Sequence, residues 1–298
     1  MQRNIMMTLV SIGLSTCAFA DGDHPESASF KITPITEQIS MLQGQGGNVA
    51  VLTGEQGILM IDDDYQKMSS ALQDALKEFG GKENLTYIIN THWHGDHTGG
   101  NLDLGSSTRI IAHDNVRERL LTKQEIKLFN MVSEPYPEEA LPSLTYSQHM
   151  TLHINGETVE LEHYPQGHTD SDSVVFFKAA NVVHTGDHFF NGFFPFIDVD
   201  SGGNAVTMAE NVAKLIQQID EKTVIIPGHG PLAKKADLEA FHGMLTGTTQ
   251  EVKAMMDSGM TIEQIQEKGL SSDWDEWTDG FLSTEAWINI LYASLKAA

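Results

Sequence analysis

The segment Thr-His-Trp-His-Gly-Asp-His-Thr-Gly-Gly, residues 91–100, is the most informative part of the sequence. It places three imidazoles and one carboxylate within six residues: His92, His94, Asp96 and His97. Neutral imidazole and carboxylate are the donors that zinc accepts in catalytic sites. Such a dense set of donors predicts a metal site, and a surface cluster of histidines is the weaker interpretation.

The spacing of the first two histidines predicts an extended segment. On a helix, His92 and His94 would point about 200° apart, because successive residues turn by roughly 100°. In an extended chain, residues two apart project to the same side. The apolar run 85–90 is typical of a buried strand, and Gly95 with the pair Gly99-Gly100 disfavours a helix. We therefore expect these histidines in a non-helical loop at the carboxyl end of a strand.

Three further loops combine a β-rich apolar run, a glycine and one potential ligand. The ligands are His168 after Gly167, Asp187 after Gly186, and His229 between Gly228 and Gly230. A glycine at such a point lets the backbone turn sharply and brings the ligand close to a shared centre. Each histidine alone would more often be an ordinary loop residue, but four such loops together predict one metal centre.

The order His-x-His-x-Asp-His, Gly-His-Thr, Gly-Asp and Gly-His-Gly resembles that of the metallo-β-lactamase fold superfamily of metallohydrolases. The resemblance covers roughly residues 30–292, and all seven ligand positions are filled. It implies an α/β fold, a four-layer αββα sandwich with two β-sheets face to face and the metal site at the edge of the β-sandwich. It also implies the ligand sets: His92, His94 and His168 for a first metal, Asp96, His97 and His229 for a second, and Asp187 as the bridge.

Two metals held in this way predict hydrolysis. Two divalent ions about 3.5–4 Å apart share a water, lower its pKa toward 7 and polarise a carbonyl oxygen. Asp96 lies next to a ligand and can face the hydroxide, so it is the candidate catalytic residue that orients the nucleophile and shuttles its proton. Asp62 matches a carboxylate of the family that would fix the tautomer of a ligand histidine. The alternative for Asp62 is a turn residue at the end of a strand.

The amino-terminal residues predict export. Residues 1–20 combine Arg3, an apolar stretch and Ala18-Phe-Ala20, which is the pattern of a signal peptide cleaved before Asp21. The apolar stretch is shorter than a membrane-spanning helix, and no later segment qualifies as a span. We therefore expect a periplasmic or secreted protein in which residues 21–298 form a single hydrolase domain.

Cysteine usage and charge narrow the function. Cys17 is the only cysteine and lies in the signal peptide, so the mature chain has neither disulfides nor thiolate ligands. This excludes the cysteine-containing zinc β-lactamases, in which a thiolate stands at the position of Asp187. The net charge of −23 repels polyanions, whereas nucleic-acid processing needs basic grooves. We expect a small-molecule substrate and no nucleic acid, and the oligomeric state stays open.

Two segments supply candidates for the substrate pocket. Gln45 and Asn48 lie in a glycine-rich segment where related enzymes have a mobile hairpin, although a simple turn fits equally well. His188, Phe190 and Asn191 follow the predicted bridging aspartate, in a segment with five phenylalanines between residues 189 and 196. These aromatics fit an apolar pocket wall or the core. Some lactonases of the fold have tyrosine, and some zinc β-lactamases lysine, at the position of Phe190.

The predicted function is a secreted dinuclear zinc hydrolase that cleaves a β-lactam amide, a lactone or ester, or a thioester. Zinc is expected at two ions per chain, with iron or manganese also compatible with these donors. Two alternatives from other classes remain. One is a non-haem iron redox enzyme that uses two histidines and one carboxylate. The other is a non-catalytic exported protein that binds metal or acts as a relay.

Periodicity predicts the elements between the motifs. We expect strands within residues 29–63 and a type I′ hairpin at Asn155-Gly156. Helices are expected at 68–79, 113–131, 205–219, 234–257, 261–269 and 281–297.

Overall fold

Between residues 28 and 297, which the computed structural model describes, the chain alternates between strands and helices. The strands are β1 Lys31–Pro34, β2 Ile39–Gln43, β3 Val49–Leu52, β4 Ile58–Ile61, β5 Leu85–Ile89, β6 Arg109–His113, β7 Gln124–Ile126, β8 Met131–Ser133, β9 Leu144–Tyr146, β10 His149–Ile154, β11 Glu157–His163, β12 Ser173–Phe177, β13 Val182–His184 and β14 Val224–Ile226. The α-helices are α1 Ser69–Leu76, α2 Gly95–Thr98, α3 Asn101–Leu104, α4 Asp114–Leu120, α5 Ala205–Gln218, α6 Lys235–Asp257, α7 Ile262–Lys268 and α8 Thr284–Ala297.

The predicted signal peptide, residues 1–20, and its cleavage site before Asp21 lie outside the described residues. Export therefore stays a prediction. In the described part of the chain, no helix combines the length and the apolar character that crossing a membrane requires.

Two sheets contain most of the strands. The first has seven strands in the order β1-β2-β3-β4-β5-β6-β9, and the second has five in the order β10-β11-β12-β13-β14. Strands β4, β5 and β6 are parallel neighbours in the first sheet, and β13 and β14 are parallel in the second. Because the carboxyl ends of parallel strands lie at one edge of a sheet, the loops that follow these strands can contribute to a single site.

Strand β4, which is buried on both faces, shows how the layers are built. Successive side chains of a strand point to opposite faces, so Leu59 and Ile61 of β4 face the second sheet and pack in one cluster with Leu161. Met60 points the other way and packs with Leu72 of α1. Helices α5, α6 and α8 cover the outer face of the second sheet in a further apolar cluster. The predicted four-layer αββα sandwich is confirmed.

Most of the predicted elements are confirmed. The early strands lie within residues 29–63, and α1, α5, α6, α7 and α8 lie at the predicted positions. The β10–β11 hairpin turns at Asn155 and Gly156, whose φ angles of 55° and 78° are the positive values that a type I′ turn requires.

The predicted helix at 113–131 is wrong beyond its first part. Helix α4 ends at Leu120, and β7 and β8 then form a separate antiparallel hairpin. Ile126 packs against the core, but two other apolar residues that continued the helical pattern do not reach it, since Leu128 is 46% and Met131 43% exposed. Asn130 adopts a left-handed φ of 50°, which permits the tight turn between the two strands.

The expectation of no helix around Gly95 is also wrong. His94 is extended, with φ −62° and ψ 146°, but the one-turn helix α2 begins at Gly95 immediately after it. The glycines of this segment permit close packing instead of breaking the helix. A Cβ at Gly99 would overlap the backbone of the segment 64–66 that follows β4.

Candidate metal centre

The seven predicted ligands come together at one edge of the β-sandwich. They form two groups in which the potential donor atoms all lie within 4.8 Å of one another. The first group is His92, His94, His168 and Asp187; the second is Asp96, His97 and His229. The first histidines follow β5, Asp187 follows β13 and His229 follows β14, so the parallel strands bring these loops together.

Asp187 lies between the two groups. Its Oδ2 atom is 3.3 Å from Nε2 of His168, which belongs to the first group. Its Oδ1 atom is 3.1 Å from Nε2 of His97, and Oδ2 is 3.4 Å from Nε2 of His229, both in the second group. A single carboxylate therefore reaches both halves of the centre, as a bridging ligand must.

The donor set fits divalent metal ions. Around a tetrahedral zinc with bonds of about 2.0–2.1 Å, neighbouring donor atoms lie about 3.3 Å apart. The distances are 3.4 Å between the Nε2 atoms of His97 and His229, 3.3 Å between His229 Nε2 and Asp96 Oδ2, and 2.8 Å between His168 Nε2 and His94 Nδ1. Within residues 28–297, Nε2 of buried His92 has no hydrogen-bond partner, which is expected of a ligand atom.

Asp62 orients one of these histidines. Its Oδ2 atom lies 2.7 Å from Nδ1 of His97 and accepts a hydrogen bond of 2.8 Å from the Thr91 hydroxyl. A proton on Nδ1 of His97 leaves Nε2 as the unprotonated nitrogen that faces the other donors. Asp62 is completely buried and has a positive φ of 61°, so the backbone holds this carboxylate in an unusual but fixed position.

Sequence reasoning missed a second positioning carboxylate, Asp198. Its Oδ2 atom lies 3.1 Å from Nε2 of His94, so that Nδ1 of the same ring faces the donor group. The Asp198 side chain also accepts a hydrogen bond from the backbone N–H of Ser201. The two partners are 104 residues apart, and no local spacing in the sequence links them.

The local charges favour cation binding. Burial by itself raises the pKa of Asp187 and Asp96, but the surrounding histidines, His97 first, hold both pKa values below the usual range. Burial lowers the pKa of His229, yet Asp187 and Asp96 outweigh it and raise that pKa to about 9. Burial dominates at His168 and lowers its pKa to about 4. Both carboxylates are therefore ionised at neutral pH, the form in which they bind a metal.

A cavity of about 390 Å³ opens over this centre, and its volume lies in the range of small-molecule sites. Of the five pocket candidates from the sequence, Gln45 and Phe190 line it. The complete lining is Gln45, Tyr65, His94, Gly95, Asp96, Ile126, Phe129, Met131, Asp187, Phe190, Phe196, His229 and Phe281.

The other three pocket candidates lie outside this lining. Asn48 is buried and donates hydrogen bonds to the carbonyls of Pro227 and Gly230, so it supports the loop of His229. The side chain of Asn191 donates to a carbonyl in the same region. His188 is buried behind the site, with Nε2 3.2 Å from the Asn211 amide. Successive side chains diverge by about 120° in the tight turn 186–188, so His188 points away from the cavity.

The glycine-rich segment 44–48 is anchored to the centre at three points. The Gln45 N–H donates to Asp64 Oδ2, the Gly47 N–H to the Asp96 carbonyl, and the Asn48 N–H to the Gly228 carbonyl. A Cβ at Gly47 would overlap the ring of His97, so this position requires glycine. The segment therefore packs directly on the donor groups.

Asp198→Asn is expected to weaken the binding of a divalent metal ion about 10–100-fold, because loss of a partner that orients a ligand histidine typically has this effect. The asparagine keeps the size of the side chain but removes the charge beside His94. Competition with a chromophoric chelator measures the affinity. The melting temperature of the metal-free variant reports separately on folding.

Asp200→Asn is the matched control. Asp200 lies two residues further on, and its carboxylate pairs with Lys127 at the surface. We expect wild-type zinc affinity from this variant. Equal affinity in both variants, or equal loss in both, would contradict a positioning role for Asp198.

Comparison with known proteins agrees with this geometry. A family model described as the metallo-beta-lactamase superfamily matches residues 44–229, which is more than half of the 298-residue chain and includes all seven donors.

Individual relatives are distant. The Beta-lactamase-like protein 2 homolog of Caenorhabditis elegans is 26% identical over 200 residues, covering 64% of this chain and 58% of the relative. The Atrochrysone carboxyl ACP thioesterase of Claviceps purpurea is 26% identical over 193 residues, covering 60% and 55%. The chain thus spans a little over half the length of these two curated relatives.

A solved structure, the metallo-beta-lactamase from Pontibacter korlensis, superimposes with a TM-score of 0.61 at 16% identity and covers 73% of this chain and 99% of its own. At this identity, the likeness establishes the fold. The sandwich, the two donor groups at its edge and the match over residues 44–229 lead to one assignment. The chain belongs to the metallo-β-lactamase superfamily.

Proposed function

We propose that this protein is a dinuclear zinc hydrolase that cleaves a carbonyl-centred bond, namely a β-lactam amide, a lactone or ester, or a thioester. The position of Asp187 is the observation that supports it, because one carboxylate within 3.1–3.4 Å of histidines from both groups suits two ions and not one. Two bound zinc ions would supply a hydroxide at neutral pH and a Lewis acid for the carbonyl oxygen.

Side chains at and around the donor groups would transfer the proton, orient the ligands and exclude water. Asp96 is 19% exposed and lines the cavity, so its carboxylate can accept and return the proton of the attacking water. Asp62 and Asp198 hold His97 and His94 in fixed orientations, which avoids reorganisation of the ligands during the reaction. The apolar cavity wall keeps bulk water from the bond that is cleaved.

The same proposal includes export and a small-molecule substrate. Residues 1–20 would be removed as a signal peptide, leaving residues 21–298 as one hydrolase domain in the periplasm or outside the cell. The mature net charge, strongly negative like the −23 of the full chain, makes nucleic acid an unsuitable substrate.

The two alternatives from other classes are less well supported. A mononuclear iron redox site needs two histidines and one carboxylate, and would give no role to the second group of Asp96, His97 and His229. A non-catalytic metal-binding or relay protein would not need a substrate-sized cavity above the donors.

Metal analysis with a substrate panel tests the proposal. We expect two divalent metal ions per chain and turnover of at least one among a chromogenic β-lactam, a lactone, an aryl ester and a thioester. Chelation should abolish turnover and added zinc should restore it, because the donor groups contain every group expected to activate water. One iron per chain would favour the redox alternative. Two bound ions without turnover of any substrate would favour the relay alternative.

A further inference from the structure

Resting on the proposed function, we infer that the cavity selects neutral substrates with an aromatic or other apolar group beside the scissile carbonyl, and disfavours substrates with a carboxylate there. Three features of the described residues lead to this inference: the aromatic wall, the absence of a cation in the lining and the charge of the centre.

The wall is built from phenylalanines that are distant in sequence. Phe190 stacks on the ring of His229, with centroids 5.0 Å apart and planes at 20°. Phe129, from the turn of the β7–β8 hairpin, contacts Phe196 at 4.9 Å and Phe281 at 6.0 Å. Ring-to-ring contacts thus surround the donor groups on several sides. Such a surface pairs favourably with another aromatic ring or an alkyl group.

The lining contains no lysine or arginine. Two lysines come from neighbouring segments, and neither lines the cavity. Lys127 Nζ pairs with Asp200 at 2.8 Å, and exposed Lys67 holds its Nζ 4.9 Å from the ring centroid of Tyr65, on the rim of the cavity. A substrate carboxylate held against this wall would therefore lose its hydration without gaining a cationic partner.

The charge of the centre does not replace the missing cation. Four buried or nearly buried carboxylates belong to the donor groups or contact them: Asp62, Asp96, Asp187 and Asp198. Their four negative charges balance the four positive charges of two divalent ions, and the hydroxide of the proposed function would add one further negative charge. An anionic group on the substrate gains little long-range attraction from such a centre.

The dimensions suit an aryl group. A cavity of about 150 Å³ holds one benzene ring, and the main cavity measures about 390 Å³. A second cavity of about 150 Å³ lies under the β7–β8 hairpin and shares Tyr65, Gly95, Ile126 and Met131 with the first. Trp93 and Val132 add apolar surface to this second cavity, which gives room for an apolar leaving group.

A pair of nearly isosteric esters tests the inference on the zinc-loaded protein. The p-nitrophenyl ester of 4-methylbenzoic acid and the p-nitrophenyl half-ester of terephthalic acid differ mainly by a methyl group in place of a carboxylate, which in the para position cannot attack its own ester. We expect kcat/KM for the toluate to exceed that for the terephthalate by at least about tenfold, because the carboxylate has no cationic partner in the wall. The corresponding thioester pair is measured in parallel and should show the same preference.

Phe281→Lys and Leu144→Lys provide matched variants. Both positions are exposed, at 53% and 41%, and only Phe281 lines the cavity. Phe281→Lys should narrow the toluate-to-terephthalate ratio of kcat/KM at least fivefold, whereas Leu144→Lys should leave the ratio unchanged. Equal or reversed preference in the wild type, or no change in Phe281→Lys, would overturn the inference alone. Turnover of the β-lactam or the lactone of the panel but of neither pair would likewise overturn the inference alone. No turnover of any of these substrates by protein with two bound zinc ions would overturn the proposed function and this inference with it.

Discussion

Asp187→Asn is expected to leave the protein with one metal ion per chain or fewer and to reduce turnover to the limit of detection. The substitution keeps the size of the side chain but removes the charge that lies 3.1–3.4 Å from histidines of both donor groups. Loss of a mere positioning partner weakens metal binding about 10–100-fold. Loss of the bridging carboxylate itself should weaken metal binding by more than about 100-fold, because both ions lose a ligand.

Thermal unfolding gives a readout of this prediction that does not depend on activity. Each zinc ion at 100 times its dissociation constant stabilises a folded protein by about 2.7 kcal/mol. Since 1 kcal/mol raises the melting temperature of a large domain by about 2 °C, two ions should raise that of the wild type by about 11 °C. Asp187→Asn should show a small fraction of this rise, because it binds zinc weakly. Elemental analysis of the same samples gives the number of ions per chain.

Asp63→Asn is the control for the loss of a buried carboxylate. Asp63 is as buried as Asp187, but its side chain accepts from the Gly100 backbone N–H and belongs to neither donor group. Burial raises its pKa, so the neutral amide suits its environment. This variant should keep two ions and the full rise in melting temperature. Two tightly bound ions in Asp187→Asn would refute a bridging role for Asp187.

The sequence predicted the donors because the signal is local. His92, His94 and their neighbours are close together in the chain, and each distant ligand stands beside a glycine after an apolar run. The sandwich followed from the resemblance that these motifs support, and the side chains of β4, which alternate between two apolar clusters, bear it out. At these positions, the residues that mark a motif or a strand in the local sequence are also the ones that the tertiary structure needs there.

The cavity wall could not be predicted in the same way. Phe281 contacts Phe190, which lies 91 positions earlier in the sequence. Phe129 and Met131 line the cavity from the hairpin, although their spacing continues the apolar pattern of helix α4. Both interpretations of the segment 189–196, as a pocket wall and as part of the core, hold for some of its residues. Phe190 and Phe196 line the cavity, whereas Phe189 is buried in the core and packs on a helix residue, Phe241. Which face a residue of an irregular segment presents depends on contacts that are distant in sequence, and periodicity gives no information about them.

Asp96→Ala is expected to lower kcat about 10²–10⁴-fold at saturating zinc, the range for loss of a group that transfers protons in the transition state. The position of the carboxylate explains the size of the effect. Its Oδ2 atom lies 3.3 Å from Nε2 of His229, and the residue also lines the cavity. Asp187 also lines the cavity, but its side chain is only 4% exposed against 19% for Asp96, so the Asp96 carboxylate is the more accessible to the attacking water. Steady-state kinetics with parallel metal analysis measures the loss.

Asp96→Asn separates the two roles of this side chain. The amide keeps an oxygen donor at the same place but cannot accept a proton at neutral pH. We expect it to retain more zinc than Asp96→Ala and to lose turnover to a similar extent, because the proton-transfer role fails in both. Asp103→Ala, which removes an exposed carboxylate from the adjacent helix α3, should keep wild-type rates and metal content. If Asp96→Ala with two bound zinc ions hydrolyses its substrate at the wild-type rate, Asp96 is not the catalytic residue, and proton transfer must then be assigned to another group that lines the cavity.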